Sequence, residues 1–509
     1  MNRPLTVAAI LLTMFLSAME ATVVSTAMPT VIAELHGIEL YGWVGAVYML
    51  ATTVTIPIFG KLADVLGRKP VLLMGLAIFL AGSMGSGLAT SMVMLVIMRV
   101  VQGVGAGALQ PVALTIIGDL FTVQERARIQ GVFGAVWGVA GMVGPLVGGL
   151  IVSVASWRWV FFLNLPFGLV AAALLSAFYR EASSGERARP RIDVLGAMLL
   201  SVSVLSLLLG AGGRVPLVTL PLAVAAALAF VACERRVSDP LLPLSLLATP
   251  VIRISSVLGF LMGAVMMGAL MYTPLYVQSV LHGTPTEAGT SVAPMLVGWP
   301  LASAISGRLL PKLGYRRLIR GGFVVIALSA VVLSLSLDAG TWALRATTFF
   351  LGTGMGLANT ALLIAVQESV TQRERGVATA STMFFRTIGG AIVVGGLGAL
   401  VAALLSDKLP PHVLDDLLGP ERGKTLLPAL LTQYEGALAH AMKPAFGVVA
   451  ALAVVGLALS VAFPREVVRR QVLPTAKTPR PPEGEETLPS FFVLGVLGVL
   501  AVRSFVAEE

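Results

Sequence analysis

Apolar residues dominate this chain in runs of about twenty positions, and short polar stretches separate one run from the next. A helix of about 20 apolar residues spans the hydrocarbon core of a bilayer, because each residue rises about 1.5 Å. On that reading the chain crosses a membrane near 5–27, 41–63, 70–90, 92–117, 128–154 and 160–180, and again near 192–210 and 215–234. Six more crossings are expected near 251–280, 289–313, 317–337, 341–370, 376–405 and 440–463, fourteen in all. The first run, from Leu5, resembles a signal-peptide core, but so many runs follow that an uncleaved first helix is expected. Past Pro464 the pattern changes. Residues 464–489 are charged and proline-rich, as a disordered segment is. Residues 488–502 are apolar again but short for a crossing, so they are expected to lie on the membrane or dock loosely.

Composition supports this and excludes much else. The 509 residues are 57% hydrophobic and 12% charged, with a mean hydropathy of +0.91. A soluble domain carries about 25% charged residues and has no way to hide so much apolar surface. The net charge of +9 would suggest nucleic acid in a soluble protein. Here it marks sides. With the N-terminus inside, 26 of the 35 Lys and Arg residues fall in cytoplasmic loops and tails, and only seven outside. The other two, Arg99 and Arg386, lie deep inside runs. The single cysteine, Cys233, excludes a disulfide framework within one chain, and the four histidines sit beside loops without forming a ligand set. No cofactor, metal or nucleic-acid partner is expected.

The chain repeats itself. Gly60-Lys-Leu-Ala-Asp64-Val-Leu-Gly67-Arg68-Lys69 joins the second and third runs, and Gly103-x-Gly105-x-Gly107 follows 43 positions after Gly60. Gly307-Arg-Leu-Leu-Pro311-Lys-Leu-Gly314-Tyr-Arg316 joins the corresponding later runs, with Gly352-x-Gly354-x-Gly356 45 positions on. Duplicated helical units suit a transporter, since two similar bundles rock about a central site. The expected organisation is an N-terminal six-helix bundle (1–180), a linker with two inserted helices (181–245), a C-terminal six-helix bundle (246–465) with a long outer loop at 406–439, and a tail (466–509).

These stretches resemble the major facilitator superfamily, and within it the fourteen-helix drug:proton antiporters. Glu20-Ala-Thr-Val-Val-Ser-Thr-Ala-Met-Pro29 is similar to the family's first-helix motif, which usually begins with Asp. Gly60 to Lys69 is similar to the loop motif, and Arg99-Val-Val-Gln102-Gly103 to the fourth-helix motif. Gly134 to Gly149, with Gly138, Gly141, Gly144, Pro145 and Gly148, resembles the fifth-helix motif associated with antiport, and Trp157 to Pro166 the fourteen-helix subgroup. The resemblance implies an all-α membrane fold, a latch role for Asp64 and Arg68 with Gly60 and Gly67, and no enzyme activity. It implies a multi-pass protein of a bacterial inner membrane, exchanging protons for lipophilic small molecules.

The residues themselves support parts of this. An ionisable side chain within a span faces a cavity or a partner. Glu20 lies about 24 Å from the inner end of its helix and Arg99 about 12 Å from the outer end of its own, so they share a depth. A carboxyl raised by burial and lowered by a guanidinium can load or release a proton as the site opens. A static ion pair that fixes helix packing is the alternative. Asp64 is placed to face the positive N-terminal end of a helix near Gly376; marking topology is its plainer role. The glycines read as close helix packing rather than nucleotide loops, since neither triplet is followed by Lys-Ser/Thr.

Tyr48, Gln110, Trp137, Tyr272, Tyr276, Asn359, Phe384, Phe385 and Arg386 are the candidate substrate contacts, each otherwise ordinary packing. No second carboxylate lies at mid-depth, which favours monocations, neutral compounds or lipid-like substrates over dications. Proton-coupled drug export by a monomer is the leading expectation. Export of lipids or siderophore-like metabolites comes second. A nutrient symporter or a lipid-modifying enzyme follows well behind.

Overall fold

The computed structural model describes residues 2–36, 40–181, 193–211, 215–237, 240–242, 244–405 and 428–465. Among them the chain is helical throughout: α1 (Arg3–Leu35), α2 (Tyr41–Leu66), α3 (Arg68–Gly87), α4 (Met92–Leu120) and α5 (Val123–Val154) come first. A single turn, α6 (Trp159–Phe162), leads through Leu163, itself helical in φ and ψ, into α7 (Asn164–Phe178), and the two form one apolar stretch near the expected run. Then follow α8 (Val194–Ala211), α9 (Pro216–Glu234), α10 (Leu244–Ala248), α11 (Pro250–Ser279), α12 (Pro285–Leu335), α13 (Thr341–Glu368), α14 (Arg375–Leu405) and α15 (Pro428–Ser460). Helix starts follow local chemistry. Thr122 with Glu125, and Thr284 with Glu287, form capping boxes that satisfy free amides at the heads of α5 and α12.

Eleven helical stretches of the described residues are long and apolar enough to cross a membrane, against fourteen expected. The difference has physical causes. Residues 286–335 count as one stretch because α12 stays helical on both sides of a kink at Gly314. The long helix α5 and the 18-residue α8 contribute shorter apolar segments, 129–141 and 194–210. In the outer segment 406–439, residues from Pro428 onward belong to α15, which begins well before position 440; 406–427 and the apolar stretch 488–502 lie outside the described residues.

The repeat in sequence is a repeat in backbone. Gly67 (φ 102°) separates α2 from α3, and Gly314 (φ 74°) bends α12 at the matching place. Both need the positive φ that only glycine adopts without strain. The triplets match too. A Cβ on Gly103 would lie 3.1 Å from the Tyr48 Cα and one on Gly107 3.0 Å from the Thr52 carbonyl, both on α2, while one on Gly105 would meet the Gly75 carbonyl and Phe79 on α3. In the second copy Gly352 and Gly356 face Met295 and Trp299 in the first part of α12, and Gly354 faces Gly322 and Ile326 in its second part. Small residues let helices approach to backbone contact where no hydrophobic effect drives them together. Gly105→Val or Gly354→Val is expected to cost about 3 kcal/mol or more through overpacking with no side chain to yield. The check is loss of the monodisperse peak in detergent size-exclusion chromatography; an unchanged peak and melting temperature would contradict this packing.

Helices α1 to α7 pack mainly on one another, around cores containing Leu76, Phe79 and Leu109 and, at the far end, Met19, Leu95 and Trp157. Helices α11 to α15 pack around Tyr276, Phe323, Leu351 and Phe446. Two seams join the groups, α5 against α12 and α2 against α14, and α8 packs on both α2 and α14.

Candidate functional site

Glu20 is 2% exposed, yet fully engaged. Its Oε1 accepts from Arg99 Nη1 on α4, and its Oε2 accepts from Asn164 Nδ2 on α7 at 2.6 Å. Asn164 also donates to Ser83 Oγ at 2.9 Å. Arg99, likewise 2% exposed, donates to Gln102 Oε1 (2.7 Å) and to the Val44 carbonyl (3.2 Å), and its guanidinium stands 4.3 Å over the Tyr48 ring. Three helices therefore converge on one carboxylate. The ion pair offsets the desolvation of both charges, and Asn164 occupies the second carboxylate oxygen. In this conformation the Glu20 side chain is 1% exposed. Tyr48, which the sequence offered as a substrate contact, belongs to this cluster.

The second cluster lies where the α2–α3 connection meets α14. Asp64 accepts from the backbone amides of Gly376 (3.0 Å) and Val377 (2.7 Å), so its carboxylate caps the free N–H groups at the head of α14. The fit requires glycine. A Cβ on Gly376 would lie 2.5 Å from Asp64 Oδ1, and one on Gly60 would overlap Ala380. Arg68 Nη2 donates to Asp64 (3.0 Å) and to the Gln372 carbonyl, while its Nε lies 3.2 Å from Asp119 Oδ2 at an angle that makes this an ion pair rather than a hydrogen bond. Gly67 gives the turn that aims Arg68.

Two further ion pairs join the helix groups at this end, one from α4 to α14 and one from α5 to α13. Asp119 pairs with Arg375 at 2.6 Å, and Arg126 with Glu368 at 2.8 Å. The sequence reading missed all four residues, although the signal was present: Asp119-x-x-Thr122-x-x-Glu125-Arg126 recurs as Glu368-x-x-Thr371-x-x-Glu374-Arg375, 249 positions later. That is also the spacing of the glycine triplets. Each copy's acid pairs with the other copy's arginine, so the repeat builds a reciprocal brace between the two helix groups.

At the opposite end Glu34 accepts from Trp157 Nε1 (2.7 Å) and pairs with Arg158 (2.5 Å). The Arg158 hydrogen bond holds the Glu34 carboxyl below its usual range. The Trp157-Arg158 stretch thus fastens the end of α1.

The candidate substrate residues fall into separate groups. Arg386 Nη1 donates to Asn359 Oδ1 at 3.0 Å, and Phe385 stacks edge-on with Phe384. Tyr272 donates to the Val394 carbonyl (2.9 Å), and Tyr276, fully buried against Phe446, donates to Asp338 (2.5 Å), which also pairs with Lys443. Along α11 Tyr276 is about 25 Å from Gly259, beside Arg386, so it stands at the other end of that helix group. Gln110 and Trp137 lie on α4 and α5, and the indole nitrogen of Trp137 is buried without a hydrogen-bond partner. In α5 a Cβ on Gly134 would press on Pro300, and those on Gly138 and Gly141 would press on Leu296, so this face forms the seam with α12. Gly148 is buried in the same helix, which also contains Gly144 and Pro145. Among the described residues no group of three His, Cys, Asp or Glu side chains is arranged to hold a metal.

Comparison with known proteins bears on this arrangement. The profile of the Major Facilitator Superfamily matches residues 10–394. The multidrug transporter protein MdtP of Bacillus subtilis is 38% identical over 432 residues, covering 82% of this chain and 79% of that protein. Multidrug resistance protein 3 of the same organism is 33% identical over 411 residues, covering 79% and 80%. The crystal structure of the human organic anion transporter MFSD10 superposes with a TM-score of 0.63 at 15% identity, covering 90% of this chain and all of that one, a likeness of fold.

Proposed function

The chain belongs to the Major Facilitator Superfamily, and on that premise we propose that it is a proton-coupled exporter of lipophilic and amphipathic compounds, working by alternating access. One observation carries the coupling: a carboxylate at mid-depth in α1 whose charge is balanced by one guanidinium and one amide from two other helices. Proton binding at Glu20 cancels its attraction for Arg99, so any movement that parts α1 from α4 is linked to proton uptake, and the reverse movement to release. The export direction rests on relatives named as multidrug transporters.

The topology proposed is fourteen crossings. Eleven apolar stretches supply them once α12 is counted twice at Gly314 and α5 and α8 are added. The excess of Lys and Arg supports a cytoplasmic position for the Asp64 cluster, and the bacterial relatives support an inner membrane as its setting. That face is fastened in this conformation, with Asp64 and the reciprocal ion pairs as its latch.

Reconstitution tests the whole reading. In inverted vesicles an imposed proton gradient, acidic inside, is expected to drive uptake of a lipophilic dye cation such as ethidium at a rate at least about tenfold above protein-free vesicles, the scale of a coupled rather than a leak process. Collapse of the gradient with an ionophore returns uptake to background. Uptake that ignores the ionophore would reject proton coupling.

A further inference from the structure

The charges of α11 to α14 do not balance in their interior. Between 250 and 405 the sequence holds four acidic residues, and each is engaged at a helix end. Glu287 and Glu374 close capping boxes, Asp338 pairs with Lys443, and Glu368 pairs with Arg126. Arg386 lies about 16 Å along α14 from Arg375, makes no ion pair among the described residues, and meets only the neutral amide of Asn359. In the first helix group the corresponding interior cation, Arg99, is neutralised by Glu20. An intramembrane cation without a counter-charge is costly to hold and marks a ligand path. What completes it is an anion.

Phe385, the neighbour of Arg386 in α14, lines a cavity of about 440 Å³, within the size range of small-molecule sites (about 300–1,000 Å³), whose wall does not include Arg386 itself in this conformation. Leu247 of α10, Val257 and Phe260 of α11 and Phe385 of α14 form apolar walls. Arg253 also lines it, exposed in the first turn of α11, where the helix dipole adds to its positive field. Ser256, 3% exposed, lines it too, and its hydroxyl has no hydrogen-bond partner. An apolar chamber with one arginine at its rim and another next to its Phe385 wall has the polarity of an amphiphile with a negative head. Gly259 and Gly263 leave room for the backbone of α14 at Arg386 to lie against α11.

Resting on the exporter reading, we propose that the transported compounds include amphipathic anions drawn from the inner leaflet, with the apolar tail in the α10–α11–α14 cavity and the acidic group held first by Arg253 and then by Arg386. A carboxylate, sulfonate or phosphate fits alike, because each accepts the paired donors of a guanidinium.

The test uses two fluorescent probes with the same dodecyl tail, a sulfonate and its uncharged methyl sulfone, together with ethidium. The full-length chain is reconstituted in phosphatidylcholine vesicles, whose lipids carry no net charge to compete. Under the proton gradient the wild type is expected to move the sulfonate at least about tenfold faster than the sulfone, the discrimination of one charge-assisted contact. In Arg386→Gln that preference falls to within about twofold, and Arg386→Lys restores part of it, since a point charge replaces the fork. Should Arg386→Gln fold poorly, Arg253→Gln decides, because its exposed side chain leaves the core intact; the preference drops there by about threefold or more. Equal rates for the two probes in the wild type, or an unchanged preference in Arg253→Gln and the folded Arg386 variant, overturn the proposal. Transport of ethidium without the sulfonate leaves the exporter standing and removes the anion. If none of the three moves, the exporter reading falls and takes this inference with it.

Discussion

Glu20→Gln abolishes proton-driven export, lowering the rate at least about a hundredfold, while exchange of substrate across the membrane without a gradient continues. Glutamine keeps the length of the side chain and an oxygen for Asn164 Nδ2. It removes the titratable group and the charge that balances Arg99. Stability suffers as well, because stranding a buried arginine costs about 3–5 kcal/mol. The double variant Glu20→Gln/Arg99→Gln separates the two effects. With both charges gone the site is neutral and polar, so the protein folds better than the single variant, yet the proton gradient still has nothing to act on. The measurements are gradient-driven uptake and gradient-free exchange of one labelled substrate in the same vesicles, alongside melting temperatures. Undiminished pH-driven transport by Glu20→Gln would discard the coupling role and leave Glu20–Arg99 as a static pair that fixes α1 against α4.

How much of this was legible in the sequence differs from one feature to the next. The spans were legible because hydropathy is local and the bilayer fixes its length scale. The encounter of Glu20 with Arg99 followed from counting depth along two helices, since isolated charges at equal depth seek each other. Asn164 did not follow. It sits in a stretch noticed only for its resemblance, and nothing in one helix says which neighbour its amide will meet. The brace of Asp119, Arg126, Glu368 and Arg375 was hidden for another reason. Charges at helix ends ordinarily mark topology, and only the 249-residue recurrence of acid, threonine, glutamate and arginine distinguishes these. The bend at Gly314 was legible by contrast, because the repeat aligns it with Gly67 and both take a positive φ.

The latch carries the second large effect. Asp64→Ala removes the carboxylate that caps α14 and one of the two carboxylate partners of Arg68, which keeps Asp119, in surroundings where Asp64 and Arg68 are almost fully buried. With Asp119 still beside Arg68, the lost cap on two amides and the lost ion contact together cost about 3 kcal/mol, and here the loss falls on one conformation only. The strain disappears when the two helix groups part and water reaches Arg68. A bias of that size shifts a two-state balance by about a hundredfold or more, so a population fastened at this face becomes mostly open. Gly60→Val does the same by bulk, since its side chain would occupy the space of Ala380. Spin labels at Arg180→Cys and Arg373→Cys, on a Cys233→Ser background, report the separation; both positions are exposed at this end of the two groups. Asp64→Ala and Gly60→Val are expected to move the distance distribution to longer values and to slow export at least about tenfold. The brace supplies the control. Arg126→Glu sets two acids against each other and opens the face, whereas adding Glu368→Arg restores the pair with its charges reversed and closes it again. If the distances are the same in Asp64→Ala as in the parent, or if the reversed pair fails to rescue, these contacts decorate the seam without holding it.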